Sequence, residues 1–278
     1  MADISILDSF VLGVVEGLTE FLPVSSTGHL TIAEKMLNLP IDDKGVTAFT
    51  AIIQMGAIAA VLVYFFKDII RIISGWGRGL VKAEVRGSFD YRFGWFVIWG
   101  SLPIAIVGFL ARDLISGSLR SLWVVAIALI AWSAVMVFAE SRATQSRKET
   151  QTTLIDVLVI GLVQCIALVP GISRSGATIS AGLFRGLDRV AATRLSFFLS
   201  VPALVGAGLY ELKDAVKESV PVGSLVVGTA VSFVVAYVSI AWLLRFVAGH
   251  PISYFVPYRL VVGAVLIALL ATSTISPT

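Results

Sequence analysis

The chain has 278 residues, 57% of them hydrophobic and 14% charged, with a net charge of +3, whereas a soluble domain carries about 25% charged residues. That balance, with a mean hydropathy of +0.93, excludes a soluble globular fold, and no basic, aromatic-rich face is present to bind nucleic acid. A β-barrel is excluded too, because its strands alternate apolar and polar residues while Val124 to Ala139 runs almost without a polar break.

What remains is an all-α polytopic membrane protein, read as a single integral membrane domain over 1–278. A bilayer core about 30 Å thick takes roughly 20 apolar residues as a helix. Met1-Ala2-Asp3-Ile4 lacks the basic region of a signal peptide, so the first hydrophobic segment is expected to be retained. That segment, about 5–33, is broken between Pro23 and Gly28. Full spans are predicted at about 46–67, 92–115 and 119–140. A second broken segment, about 153–186, is interrupted from Pro170 to Gly176, and spans follow at about 190–212, 222–248 and 255–274. Non-helical backbone at membrane depth is tolerated only where protein or water surrounds it. Each broken segment therefore reads as a re-entrant helix hairpin, with two kinked full crossings as the alternative. The polar connections at about 68–91 and 141–152 read as linkers, and Trp76, Trp95 and Trp123 as interface anchors. The lone Cys165 excludes an internal disulfide.

The halves repeat. Gly13-Val14-Val15-Glu16 aligns with Gly161-Leu162-Val163-Gln164, and without a gap Ser25 falls on Ser173, Ser26 on Arg174, Thr27 on Ser175 and Gly28 on Gly176. Later, Tyr64 to Asp68 aligns with Tyr210 to Asp214. A hairpin plus three spans thus occurs twice, at about 1–140 and 153–278. Three is odd, so the second copy is expected to be inverted, with the broken tips meeting near the midplane. One side carries Lys67, Arg71, Arg78, Lys82, Arg86, Arg92, Arg142, Arg147, Lys148, Arg185, Arg189, Arg194 and Arg245; the other has Lys35, Lys44, Arg112, Arg120, Lys213 and Lys217. The richer side is expected to be cytoplasmic, which puts both termini outside.

The chemistry concentrates in the two breaks. Glu16 and Glu20, four apart, share one helix face, and two like charges in a low-dielectric site call for shared protons or a bound cation. Oxygen-only ligands favour Mg²⁺ or Ca²⁺; a proton relay is the competing account. Pro23-Val24-Ser25-Ser26-Thr27-Gly28-His29 combines a helix stop with hydroxyls that can cap the next helix, and a helix N-terminus binds anions. His29, three residues after Ser26, is placed to activate that hydroxyl as a nucleophile. In the partner break, Ser173-Arg174-Ser175-Gly176-Ala177-Thr178 offers a guanidinium whose forked donors match phosphate and a glycine-serine turn suited to an anion. An Arg–Glu pair serving the fold alone is the plainer account. Gln54, inside the first full span, is polar enough to line the site or to bond across helices.

These residues resemble the undecaprenyl-diphosphate phosphatase family of the type linked to bacitracin resistance. The carrying motifs are Glu16-Gly-Leu-Thr-Glu20-Phe-Leu-Pro-Val-Ser-Ser-Thr-Gly-His29 and Pro170-Gly-Ile-Ser-Arg-Ser-Gly-Ala-Thr178. The resemblance implies a multi-pass enzyme of the bacterial inner membrane, its site open to the outside. It would remove the terminal phosphate of a C55 isoprenoid diphosphate and so recycle a lipid carrier for cell-wall synthesis. It also implies a divalent cation on Glu16 and Glu20, and catalytic roles for Ser26, His29, Glu20 and Arg174. Substrate contacts are expected from Arg174, Ser173, Ser175, Gly176, Thr178, Ser25, Thr27 and Gln54. The partners are the lipid substrate and the bilayer, and a homodimer is compatible with the sequence. A lipid flippase or proton-coupled transporter on the same architecture is the alternative.

Overall fold

Helix-favouring apolar stretches and well-formed caps give the chain eleven α-helices and no strand among the described residues of the computed structural model, which are 4–41, 43–111, 114–115, 119, 121–215 and 221–277. Side chains of 210–215 lie outside the description, as do Arg112, Arg120 and Lys217 of the charge count. The first broken segment is α1 (Ile6–Thr19) and α2 (Ser26–Met36). Then come α3 (Lys44–Tyr64), α4 (Phe66–Val81), α5 (Phe89–Leu110) and α6 (Leu122–Arg142). The second broken segment is α7 (Leu154–Ile166) and α8 (Arg174–Phe184), followed by α9 (Arg189–Ala215), α10 (Val222–Gly249) and α11 (Val256–Ala271). Six helices are long and apolar enough to cross a bilayer, and they coincide with the six predicted spans. The four helices of the broken segments have 14, 11, 13 and 11 residues. At 1.5 Å per residue none of them covers a core of about 30 Å.

The first helices of the two broken segments are capped alike. Ser5 accepts from the Asp8 N–H while the Asp8 carboxylate accepts from the Ser5 N–H, and Thr153 and Asp156 form the same box at the aligned position. Such reciprocal capping satisfies two N–H groups that a helix start leaves without partners. Packing repeats as well. α1 lies on α10, the second span of the other half, and α7 lies on α5. In both contacts backbones nearly touch: a Cβ on Gly17 would stand 2.6 Å from the Ser232 oxygen, and one on Gly161 would stand 2.3 Å from the Gly100 oxygen. In lipid, where burying apolar surface does not drive helices together, close approach of this kind holds the bundle.

The charged ends sort into two groups. Arg147 and Arg185 both bind Asp156, at 2.5 and 2.8 Å, tying the start of α7 to the end of α8. Burial by itself raises the Asp156 pKa, but hydrogen bonds from Arg147, Thr153 and Arg185 outweigh it and hold this carboxyl well below the usual range. At the same end Arg189 pairs with Glu140, and Arg194 reaches Asp68 at 2.8 Å and Glu149 at 3.0 Å. At the other end Ser224 donates to the Ile4 carbonyl (2.7 Å) and Lys35 to Ser276 (2.8 Å).

One expectation needs correction. The stretch at 68–91 is no simple linker, because most of it is the helix α4. Its polar residues looked loop-like, yet Lys67, Arg71, Ser74 and Arg78 recur at helical spacing on one side and apolar residues fill the other. Trp76 of α4 packs edge-on against Trp95 of α5, with centroids 5.6 Å apart. The connection after α6, 143–152, holds one parallel bridge, Arg147 to Leu187, and one short 3₁₀ turn, Glu149–Gln151.

Candidate active site

The two breaks, remote in sequence, meet inside the bundle. Glu20 ends α1 in helical geometry, its N–H bonded to the Glu16 carbonyl at 3.0 Å, so both acids stay on one face. Both carboxylates are buried. Ser26, the first residue of α2, donates its hydroxyl to Glu20 Oε2 at 2.6 Å. Arg174, the first residue of α8, donates Nη2 to Glu20 Oε1. The aligned positions of the two halves therefore grip the two oxygens of one carboxylate.

The residues preceding them behave in the same paired way. Ser25 and Ser173 both hold left-handed backbone, with φ of 80° and 77°. For a residue with a Cβ this conformation costs about 1–3 kcal/mol, and such strain concentrates at functional sites. Each serine reaches the opposite break: Ser25 Oγ accepts the Gly171 N–H at 3.0 Å, and Ser173 Oγ lies 3.5 Å from the Leu22 carbonyl it donates to. Ser25, one of three hydroxyls able to cap α2, spends its hydroxyl on this cross-link and makes no side-chain cap. Ser173 does cap α8, accepting the Gly176 N–H at 3.2 Å. Gly171 sits at φ +99°, and a Cβ there would fall 2.5 Å from the Val125 oxygen, so only glycine fits.

Two residues at the breaks escaped the sequence reading, and both come from α11. Arg259 is fully buried. It donates to the carbonyls of Pro23 (3.0 Å) and Gly171 (2.9 Å), again aligned positions, and also to Ser133 Oγ (3.1 Å) and the Leu129 carbonyl (3.3 Å). No carboxylate pairs with it among the described residues. Tyr258 stacks on His29 and places its hydroxyl 2.7 Å from Nε2. The other ring nitrogen, Nδ1, lies 2.7 Å from the Ser25 carbonyl. A carbonyl only accepts, so Nδ1 carries the proton and Nε2 is the acceptor facing Tyr258. His29 was expected to face Ser26; here the Ser26 hydroxyl is bonded to Glu20 instead.

The remaining candidates divide. Thr178 is fully buried and braced against Ser196 at 2.6 Å, and Ser175 is buried 3.1 Å from Ser173 Oγ. Thr27 is exposed at the start of α2. Gln54, half-buried in α3, makes no hydrogen bond to these groups among the described residues. First-turn N–H groups of α2 and α8, including those of Ser26, Thr27, Arg174 and Ser175, have no acceptor within their helices. The N-termini of α2 and α8 and Arg174 thus meet at the Glu20 carboxylate, and helix N-termini with a guanidinium receive an anion well. For a metal ion, no cluster of three acidic, histidine or cysteine side chains occurs among the described residues. Glu16 and Glu20 together supply two carboxylates, and Mg²⁺ commonly takes one or two with the remaining ligands from substrate phosphates and water. The donor set fits an ion completed by a phosphate ligand.

Residues 9–265 match the family model described as bacitracin resistance protein BacA. The chain is 57% identical to undecaprenyl-diphosphatase 1 of Frankia alni over 99% of its own length and 100% of that protein. It is 57% identical to undecaprenyl-diphosphatase 1 of Streptomyces coelicolor, over 99% of each chain. The undecaprenyl-diphosphatase of Corynebacterium diphtheriae is 49% identical, with 99% and 98% covered.

Proposed function

The chain belongs to the bacitracin resistance protein family BacA, and from that premise we infer that it hydrolyses undecaprenyl diphosphate to undecaprenyl phosphate and inorganic phosphate. The observation that carries the reading to particular residues is the double grip on Glu20 by Ser26 and Arg174. In this reading the nucleophile and the phosphate-binding cation share one carboxylate, and that carboxylate is the proton acceptor.

In the proposed reaction the prenyl tail lies among the apolar spans and the diphosphate enters between the N-termini of α2 and α8. Arg174 exchanges its bond to Glu20 for the terminal phosphate, joined by N–H groups of the Ser173 to Gly176 turn. Ser26 Oγ then attacks the terminal phosphorus and passes its proton to the released carboxylate of Glu20. The anhydride P–O bond breaks, and undecaprenyl phosphate departs with the bridging oxygen. Water then attacks the phosphoserine, the Ser26 Oγ–P bond breaks as Oγ takes back the proton held by Glu20, and inorganic phosphate leaves. His29 and Tyr258 form a second acid–base pair beside the break. Glu16 and Glu20 would hold Mg²⁺ or Ca²⁺, which offsets the negative charge of the phosphates when bound.

The arginine-rich face is taken as cytoplasmic in the plasma membrane, with the site open to the other side. The two hairpins enter from opposite faces in this reading. Support comes from their open ends: Asp156 and Arg185 join within the arginine network, whereas Ile4 is held by Ser224 at the start of α10.

The test is phosphate release from a prenyl diphosphate by the purified, detergent-solubilised protein. Glu20→Gln and Arg174→Ala are expected to lower kcat by about 10²- to 10⁴-fold, and Ser26→Ala to abolish the trapped phosphoserine. Full activity in Ser26→Ala would exclude a serine nucleophile.

A further inference from the structure

We propose that α4 and the turn after it form a binding site for an anionic phospholipid, separate from the catalytic pocket. The amphipathic helix presents Phe66, Ile70, Ile73, Leu80 and Val81 as an exposed apolar stripe. On the opposite side, Ile72 and Gly79 are buried. Gly79 faces the Tyr91 ring so closely that a Cβ would meet it at 2.1 Å, which fixes the helix against α5. Helices of this type lie in the plane of the membrane interface with the apolar stripe in the acyl region.

Beside the stripe runs a row of Lys67, Arg71, Ser74 and Arg78, and this row forms one wall of a cavity of about 520 Å³ closed by Val85, Ser88 and Asp90. Its charges are unevenly neutralised. Arg71 pairs with Asp68 at 3.1 Å and Asp90 at 3.2 Å. Among the described residues Arg78 bonds only to the neutral Ser74 hydroxyl, through Nε at 3.2 Å and Nη2 at 2.8 Å. Neither Arg78 nor Lys67 has a carboxylate partner among the described residues. Two cations and a hydroxyl therefore face a cavity whose lip is Phe66 and Ile70. A phosphodiester bearing one negative charge satisfies the cations, and acyl chains continue onto the apolar stripe. Inorganic phosphate has the same head chemistry but nothing to place on that stripe. The occupant is accordingly a glycerophospholipid with an anionic headgroup.

Reconstitution of the full chain in phosphatidylcholine vesicles containing one-tenth phosphatidylglycerol, then extraction and mass spectrometry of co-purifying lipid, tests this. Wild-type protein is expected to retain phosphatidylglycerol over phosphatidylcholine, and Lys67→Gln with Arg78→Gln to reduce that retention roughly 10- to 30-fold. Lys148→Gln, which removes a lysine outside the cavity, should leave it intact. Phosphate release by the double variant should stay near wild type, showing that it is folded. Equal retention by the double variant would overturn the proposal and give this face to another occupant. A matching loss in Lys148→Gln would reduce the effect to general surface charge. Complete displacement of the lipid by millimolar inorganic phosphate would make the site one for the free anion.

Discussion

Arg259→Met removes the guanidinium that spans both breaks while keeping much of the side-chain length. Of its four acceptors, the Leu129 carbonyl still receives the Ser133 hydroxyl at 2.7 Å. The Pro23 and Gly171 carbonyls lose the partners they have at 3.0 and 2.9 Å. A buried acceptor left unsatisfied costs about 1–3 kcal/mol, hence roughly 2–6 kcal/mol for the pair. Against this, a buried cation with no carboxylate pays a desolvation cost of several kcal/mol, and the substitution relieves it. The two terms are of similar size, so the melting temperature is expected to move by only a few degrees. Activity has no such offset. The carbonyls that Arg259 ties together lie three residues before Ser26 and Arg174, and a misplacement of about 1 Å can cost 10²-fold in rate. Phosphate release should therefore fall about 100-fold or more in a protein that melts almost normally. Arg259→Lys keeps the charge but gathers its donors at one point, and it should lose activity nearly as badly. Near-normal turnover in Arg259→Met would refute the bridging role. Full rescue by lysine would reassign the effect to charge.

Three further outcomes follow from the geometry. Asp156 has its pKa lowered in the fold, so its contribution to stability is present above the unfolded carboxyl pKa of about 4 and is lost as pH falls through the lower folded value. The melting-temperature deficit of Asp156→Asn should accordingly be full at pH 7 and shrink below about pH 4; a deficit independent of pH would contradict the ion-pair account. Gly161→Ala drives a Cβ to 2.3 Å from the Gly100 oxygen and should destabilise by about 1–3 kcal/mol, seen as a lower melting temperature; an unchanged value would mean that α5 and α7 are not so close. Chelation with EDTA should stop phosphate release, and Glu16→Gln should raise the cation concentration needed to restore it by tenfold or more, an unshifted activation curve removing Glu16 from the ion's donors.

Much of the site was legible because the breaks carry charge where charge is expensive. Glu20 and Arg174 had to find each other or a ligand, and the constant offset between the halves said which positions are equivalent. The alignment also anticipated the paired serines, though not that each would reach across to the other break. What stayed hidden has identifiable causes. Arg259 is an ionisable residue within a predicted span, and that signal was available. It went unused because a cation near the end of a span is ordinarily read as snorkelling to the interface. The partner of His29 could not be found from spacing, since Tyr258 is far along the chain and looks like any tyrosine near a membrane boundary. α4 escaped because hydropathy averaged over a window cancels its two faces.

The differences between the two breaks account for a polarised site. Position by position the two breaks share a capped first helix, a glycine against the opposite half, a left-handed serine and a carbonyl held by Arg259. Two identical copies would bring like to like. Were both breaks acidic, the carboxylates would repel one another and their pKa values would rise; were both cationic, a phosphate would bind with no nucleophile beside it. The second copy instead carries Gln164 where the first has Glu16, Leu168 where the first has Glu20, and Arg174 where the first has Ser26. Those three exchanges leave the acids and the hydroxyl on one break and the guanidinium on the other. The shared backbone sets the distance between them, and in the proposed reaction the differences in side chain set the direction in which a proton and a phosphoryl group move.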